Sequence, residues 1–204
     1  MNANVSVETI LKELDILFEY HKNVRMLTPY IPGDFDNIEG KLYTSKNSEN
    51  SRFKLKPIFR LAQKMTKGEI LEVNRMTDQL NQNFVIRICA FLEYYGFVKK
   101  DEKSKGKNAI DQNLKGWEAV DLIRRLRNYF AHTTGRLNSN DKEHMKTLKV
   151  LCDKFGLNQA EYIKLEQFPL SIDVVIFHFI NEIKRYVPLH YKKYGLTMVQ
   201  DCAE

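Results

Sequence analysis

The sequence predicts an all-α fold, an antiparallel helical bundle preceded by an N-terminal helix and loop. Three observations predict it. Apolar residues recur at three- and four-residue spacing through several long stretches, as on the buried stripe of an amphipathic helix. Glycine (9) and proline (5) are scarce among 204 residues, which counts against linker-like, collagen-like and many-turned all-β architectures. Apolar side chains make up 43% of the chain, enough for a packed core, so a mostly disordered chain is excluded.

Residues 7–22 carry Ile10, Leu14, Leu17 and Phe18 at helical spacing, with Ser6 placed as an N-cap. Residues 23–50 hold Pro29, Pro32, Gly33 and Gly40 and then a polar tract, which reads as a loop. A short helix over 52–66 is interrupted near Pro57. The longest periodic stretch is 69–95, with Ile70, Val73, Met76, Leu80, Phe84, Ile88, Phe91 and Leu92 near one face and Gly96 ending it. Residues 99–113 are polar and Lys-rich, an exposed loop. A helix from about Leu114 to Thr133 follows, striped by Trp117, Val120, Ile123 and Leu126 and stopped by Gly135. Asn138 to Asp141 offer N-caps for a helix through Phe155, closed by Gly156. Residues 158–169 read as an irregular connection with at most a short strand. Residues 171–186 read as a buried helix around Val174, Phe177, Ile180 and Ile183, which Pro188 kinks or ends. The chain thus divides into 1–68 (helix, loop and short helix packing on the bundle), 69–195 (the bundle) and 196–204 (a tail).

Composition narrows the function. Cys89, Cys152 and Cys202 are far apart and form no CxxC or Cys/His cluster, so a zinc site or disulfide framework is not expected. No metal or other cofactor is expected. The N-terminus lacks the basic start and apolar stretch of a signal peptide. The most apolar run, Val174 to Ile180, falls far short of the roughly 20 residues that cross a bilayer. A soluble, cytoplasmic protein without membrane contact is expected.

The formal net charge is +6, and its placement matters more than its size. Residues 97–149 hold 13 basic and 7 acidic side chains, whereas the segments on either side are nearly balanced. A second basic run, Ser51 to Lys67, contains no acid. Such surfaces attract polyanions through counterion release, although a charge run also serves simply as a solvated face.

The most informative segment lies inside the basic region: Arg124, Arg125, Leu126, Arg127, Asn128, Tyr129, Phe130, Ala131 and His132. Arg127 and His132, five residues apart, stand about 7.5 Å apart along a helix axis and about 140° around it. Their ends do not touch on a rigid helix. They can meet if the helix loosens at His132, or can reach around one phosphate. Asn128 shares a face with His132, where it can orient the imidazole or a phosphate oxygen. An imidazole trades protons at neutral pH, a guanidinium holds phosphate bidentately, and RNA brings its own nucleophile, the 2′-hydroxyl. The plain structural alternative is a helix end whose cations offset the C-terminal dipole.

The segment RNYFAH resembles the signature of HEPN domains (higher eukaryotes and prokaryotes nucleotide-binding). That signature is an Arg, usually followed by a polar residue, with four to six residues before a His, late in a helix of a small antiparallel bundle. Arg127, Asn128 and His132 match its positions in turn. The long helix 69–95, the polar loop, the motif-bearing helix and two later helices fit the family's order. The layout spans about Glu69 to Tyr194, while residues 1–68 are not explained by it.

The resemblance implies a metal-independent endoribonuclease. The 2′-hydroxyl attacks the adjacent phosphate to leave a 2′,3′-cyclic phosphate and a 5′-hydroxyl. It implies a homodimer whose Arg and His side chains line a shared cleft, with His132 as general acid or base, Arg127 on the phosphate and Asn128 setting the geometry. It further implies a toxin paired with an antitoxin, or a phage-defence component. The family also contains members that have lost catalysis and bind nucleotide, RNA or a protein partner. Arg124 is either a further RNA contact or part of a solvated face. Tyr129 either stacks on a base or is buried in the bundle. His178 reads as a core or interface histidine, and His21, His144 and His190 have no partners at suggestive spacing. The Tyr/Lys mixture from Lys184 to Tyr194 reads as an RNA-binding stretch or a frayed amphipathic end. A helical scaffold that binds DNA through the 97–149 surplus ranks last, since no helix–turn–helix spacing stands out.

Overall fold

A computed structural model describes residues 5–27, 67–98, 110–132 and 135–196. Six α-helices and no strand form among the described residues, as the periodicity predicts. They are α1 (Val7–Leu27), α2 (Lys67–Tyr94), α3 (Trp117–His132), α4 (Lys142–Phe155), α5 (Gln159–Leu165) and α6 (Phe177–Tyr194). Helices α1, α2, α3 and α6 pack in a ring, each against the next, with α4 on the outside of α3 and α5 on α4. Residues 28–50 of the predicted loop 23–50, the short helix 52–66, most of the basic run 51–67, the lysines of 99–109 and the tail beyond 196 lie outside the described residues. No described helix is long and apolar enough to cross a membrane.

Helix α1 begins where Ser6 Oγ accepts the N–H of Thr9, and it seats Ile10, Leu14 and Phe18 in the core. It runs to Leu27, five residues beyond the expected end. Helix α2 contributes Phe84, Val85, Ile88, Cys89 and Leu92, and Tyr95 just past its end is buried with them. At its end Phe97 N–H reaches the Leu92 carbonyl (2.8 Å) and Gly96 N–H reaches that of Glu93 (3.1 Å). This Schellman closure is available because Gly96 takes φ 76°.

A buried polar link ties these helices to the chain before α6. His21 Nε2 donates to Asn81 Oδ1 (3.1 Å), and Asn81 Nδ2 donates to the Leu170 carbonyl (2.7 Å). The His21 ring stacks flat on Phe84 at 4.1 Å. Burial pushes the imidazole down to about 4, opposed by the bond to Asn81 and reinforced by Arg25 and Arg87.

Helix α3 starts three residues later than expected. Its stripe is as predicted, with Val120, Ile123 and Leu126 fully buried. Gly116 precedes it at φ 91°, and a Cβ there would stand 2.3 Å from the Glu182 carbonyl oxygen on α6. Only glycine permits that approach of helix start to helix backbone.

Three expectations are corrected in the second half of the chain. Residues 159–165 form α5 rather than an irregular connection. Asn158 caps it by accepting the Ala160 N–H, and Glu166 closes it at φ 53°, a left-handed conformation that costs a non-glycine residue about 1–2 kcal/mol. Residues 172–176 form a π-helical turn ahead of α6. The extra residue rotates the register, so Val175, Ile176, Phe179 and Ile180 are buried while Val174 and Phe177 are half exposed. Finally, α6 does not end at Pro188. The residues around the proline, Tyr186, Val187 and His190, are buried, and Lys193 Nζ and Tyr194 Oη both donate to Asp111 beyond it (2.6 and 2.7 Å). That anchoring offsets the lost helical hydrogen bond. It also holds the Asp111 carboxyl far below the usual carboxylate range, the Lys193 bond contributing most.

Candidate functional site

The predicted residues occupy the last turns of α3. The helix is regular through His132, its final residue, and does not loosen before it. Arg127 and His132 therefore project from one helix on different sides. Arg127 Nη1 donates to Asn128 Oδ1 (3.2 Å), so the guanidinium and the amide form one polar group. His132 is exposed at the helix end, and Asn128 and Arg127 are half-buried.

The other arginines are engaged within the helix. Asp121 receives Arg124 Nη2 at 3.1 Å and Arg125 Nη2 at 2.7 Å. Cys89 on α2 senses both Arg127 and Arg124, whose charges oppose its shift. Burial, with the neighbouring Glu93, nonetheless drives the thiol up to about 12, so it stays a protonated core residue. Cys152 is also a buried free thiol, and Cys202 lies outside the described residues.

Tyr129 is half-buried, with its hydroxyl on Thr147 Oγ1 (3.1 Å). Its ring stacks on Phe168 at 5.6 Å and lies 4.1 Å from His144. The structure thus places it between α3 and α4. The chain after the site is pinned at Gly135, where Gln82 Nε2 meets the Gly135 carbonyl (3.5 Å) while also holding Asp78 (2.8 Å). Thr133 and Thr134 lie outside the described residues.

His178, His21, His144 and His190 are all packed. The His178 ring meets Phe155 edge-on at 5.2 Å, as a core histidine does, and its imidazole is pushed down by burial first and Lys154 second. His190 lies among Phe97, Tyr186 and Tyr194. His144, which the sequence left without a partner, accepts the Asn138 N–H at Nδ1 (3.1 Å). The signal that could have found it is local: an Asp–x–x–His pair opening a helix, preceded by an Asn-rich turn.

Two depressions bear on where a ligand could sit. One, about 600 Å3, lies between α1 and α2 and is lined by Ile16, Tyr20, Arg87 and Phe91 among others. It includes none of the predicted site residues. The other, a polar cleft of about 390 Å3, lies past the end of α3 and is lined by Arg136, Asn138, Asp141, His144 and Glu166 among others. Among the described residues no three of His, Cys, Asp and Glu converge as a metal site.

Fold and site together define a helical bundle that presents an Arg–Asn pair and an exposed His at one helix end. No protein-family model, no curated protein and no solved structure matches the chain.

Proposed function

We propose that the protein is a metal-independent endoribonuclease of HEPN type, acting as a homodimer. The single observation that carries this reading is the grouping of Arg127, Asn128 and His132 on the last two turns of one regular helix, with Arg127 held on Asn128 and His132 exposed. Because the two reactive groups leave one helix in different directions, the reading needs a second copy. Arg127 of one chain then serves the phosphate beside His132 of the other.

In the proposed step the 2′-oxygen forms a bond to phosphorus and the bond from phosphorus to the 5′-oxygen breaks. One imidazole takes the 2′-hydroxyl proton, and a protonated one returns a proton to the departing 5′-oxygen. Arg127 offsets the charge that grows on the phosphoryl oxygens. The products are a 2′,3′-cyclic phosphate and a 5′-hydroxyl. A toxin or phage-defence role is the biological setting that this chemistry suits.

Purified protein is expected to cut RNA in the presence of EDTA. His132→Ala should lower the rate by about 10²–10⁴, and Arg127→Ala by about 10²–10³, with the dimer retained in both. Cutting that requires added metal would refute the mechanism. RNA or nucleotide binding with no product under any condition would instead assign the catalytically silent alternative.

A further inference from the structure

Helices α1 and α2 turn an apolar face outward. The groove between them, about 600 Å3, is lined by Ile16, Tyr20, Ala90 and Phe91 and also carries Glu13 and Arg87. Ile16 and Tyr20 are 60% and 57% exposed, the two most exposed large apolar side chains among the described residues. Apolar side chains left together in water in this way mark an interaction surface.

The charges on this face identify the partner. The two helices run antiparallel. Tyr95, just past the end of α2, donates to Glu13, while the Arg87 guanidinium lies over the Tyr20 ring at 5.8 Å. Glu13 and Tyr20 are about 10.5 Å apart along α1, with Ile16 near midway. Glu13 therefore stands to one side of the Ile16 level and the Arg87 charge to the other. Lys12 and Glu19, both exposed, flank Ile16 on the same side of α1 in the same manner. Glu19 also holds Lys22 on its own helix.

A two-fold axis crossing the helices at Ile16 reverses direction along them. It sets Glu13 of one copy opposite Arg87 of the other and Lys12 opposite Glu19, while Ile16 meets Ile16. A two-fold axis running along the helices keeps Glu13 level with Glu13 and Arg87 level with Arg87, which forms no such pair. The face is thus complementary to itself in one orientation, an apolar centre between opposite charges. Two helices about 30 Å long and about 10 Å wide present roughly 600 Å2. Two copies then bury roughly 1,200 Å2, enough for a specific interface. We propose that this face binds a second copy of the chain across that axis. Neither Arg127 nor His132 lines the groove, so the interface is independent of the ribonuclease reading. The shared cleft of that reading would be a second interface, and the two together would build a larger assembly.

The test measures the mass of the full chain by size-exclusion chromatography with light scattering. Arg87→Glu and Glu13→Arg each set like charges across the axis, and each is expected to halve the native mass. An arginine at position 13 can still donate to the Tyr95 hydroxyl, so the fold keeps that contact. Mixed in equal amounts, the two variants regain opposite pairs, one chain of each kind, and the native mass should return. Ile16→Asp changes a side chain that is exposed in the single chain, so it should halve the mass with an unchanged far-ultraviolet circular dichroism spectrum. A monomeric native chain, a native mass that survives Ile16→Asp, or a mixture that stays at the halved mass would each overturn the proposal. The first is the outcome if another segment of the same chain fills the groove. His132→Ala should abolish cleavage and leave the mass unchanged, so failure of either reading can be told from failure of the other.

Discussion

Arg127 engages Asn128 through one N–H and leaves the rest of its fork for an anion. Lysine would keep the charge and lose that planar fork. Arg127→Lys is therefore expected to lose about tenfold or more of RNA-cleaving activity, measured as initial rate on a fluorescent RNA. The His21 site makes a second prediction at this scale. Its imidazole titrates at about 4 in the fold against 6.5 in the unfolded chain. Above pH 6.5 its contribution to stability is fully present. As pH falls from 6.5 toward 4 the unfolded chain takes up a proton that the fold refuses, and stability is lost. The full loss is of the order of 3 kcal/mol. His178 and His190 are shifted in the same direction, burial being the main cause in both. Melting temperature should drop across this window, and His21→Phe should make the drop shallower. A variant with an unaltered pH profile would remove His21 from the explanation.

At the scale of elements, the close approach of α3 to α6 at Gly116 gives the sharpest test of packing. Alanine there must adopt a left-handed backbone and push its Cβ into the Glu182 carbonyl. Gly116→Ala should destabilise the protein by more than about 2 kcal/mol, read from denaturant melts. The same scale shows what was legible in the sequence. The stripe Val120, Ile123 and Leu126 and the stops at Gly96 and Gly156 follow from spacing and backbone freedom, and they appear in the structure as read. Helix α5 was not legible because a glutamate, not a glycine, takes the left-handed position that ends it. The buried face of 172–180 was not legible because almost every residue in that run is apolar, so any register buries something. The partner of His144 was legible only in part: the Asp–x–x–His pattern marks the helix start, but the Asn138 N–H reaches the ring through the fold of the 136–138 turn.

At the scale of the whole molecule, the +6 charge has a partly visible distribution. Asp121 engages Arg124 and Arg125, while Arg127, which donates to the Asn128 amide oxygen, and Arg136 on the polar cleft remain available to an anion. Binding of RNA through such cations should weaken with salt, with log K falling by about 0.7 per unit log salt for each phosphate engaged. A filter-binding series over salt concentration measures the slope, and a flat line would exclude phosphate contacts. The central claim, cleavage by the RNA's own 2′-hydroxyl at a site containing Arg127 and His132, is tested most directly by the ends of the product. RNA incubated with the protein in EDTA is analysed by mass spectrometry, beside His132→Ala as control. The expected result is a 2′,3′-cyclic phosphate and a 5′-hydroxyl with the native chain and neither with the variant. Fragments ending in 3′-hydroxyl and 5′-phosphate, or cyclic ends that persist in His132→Ala, would contradict it.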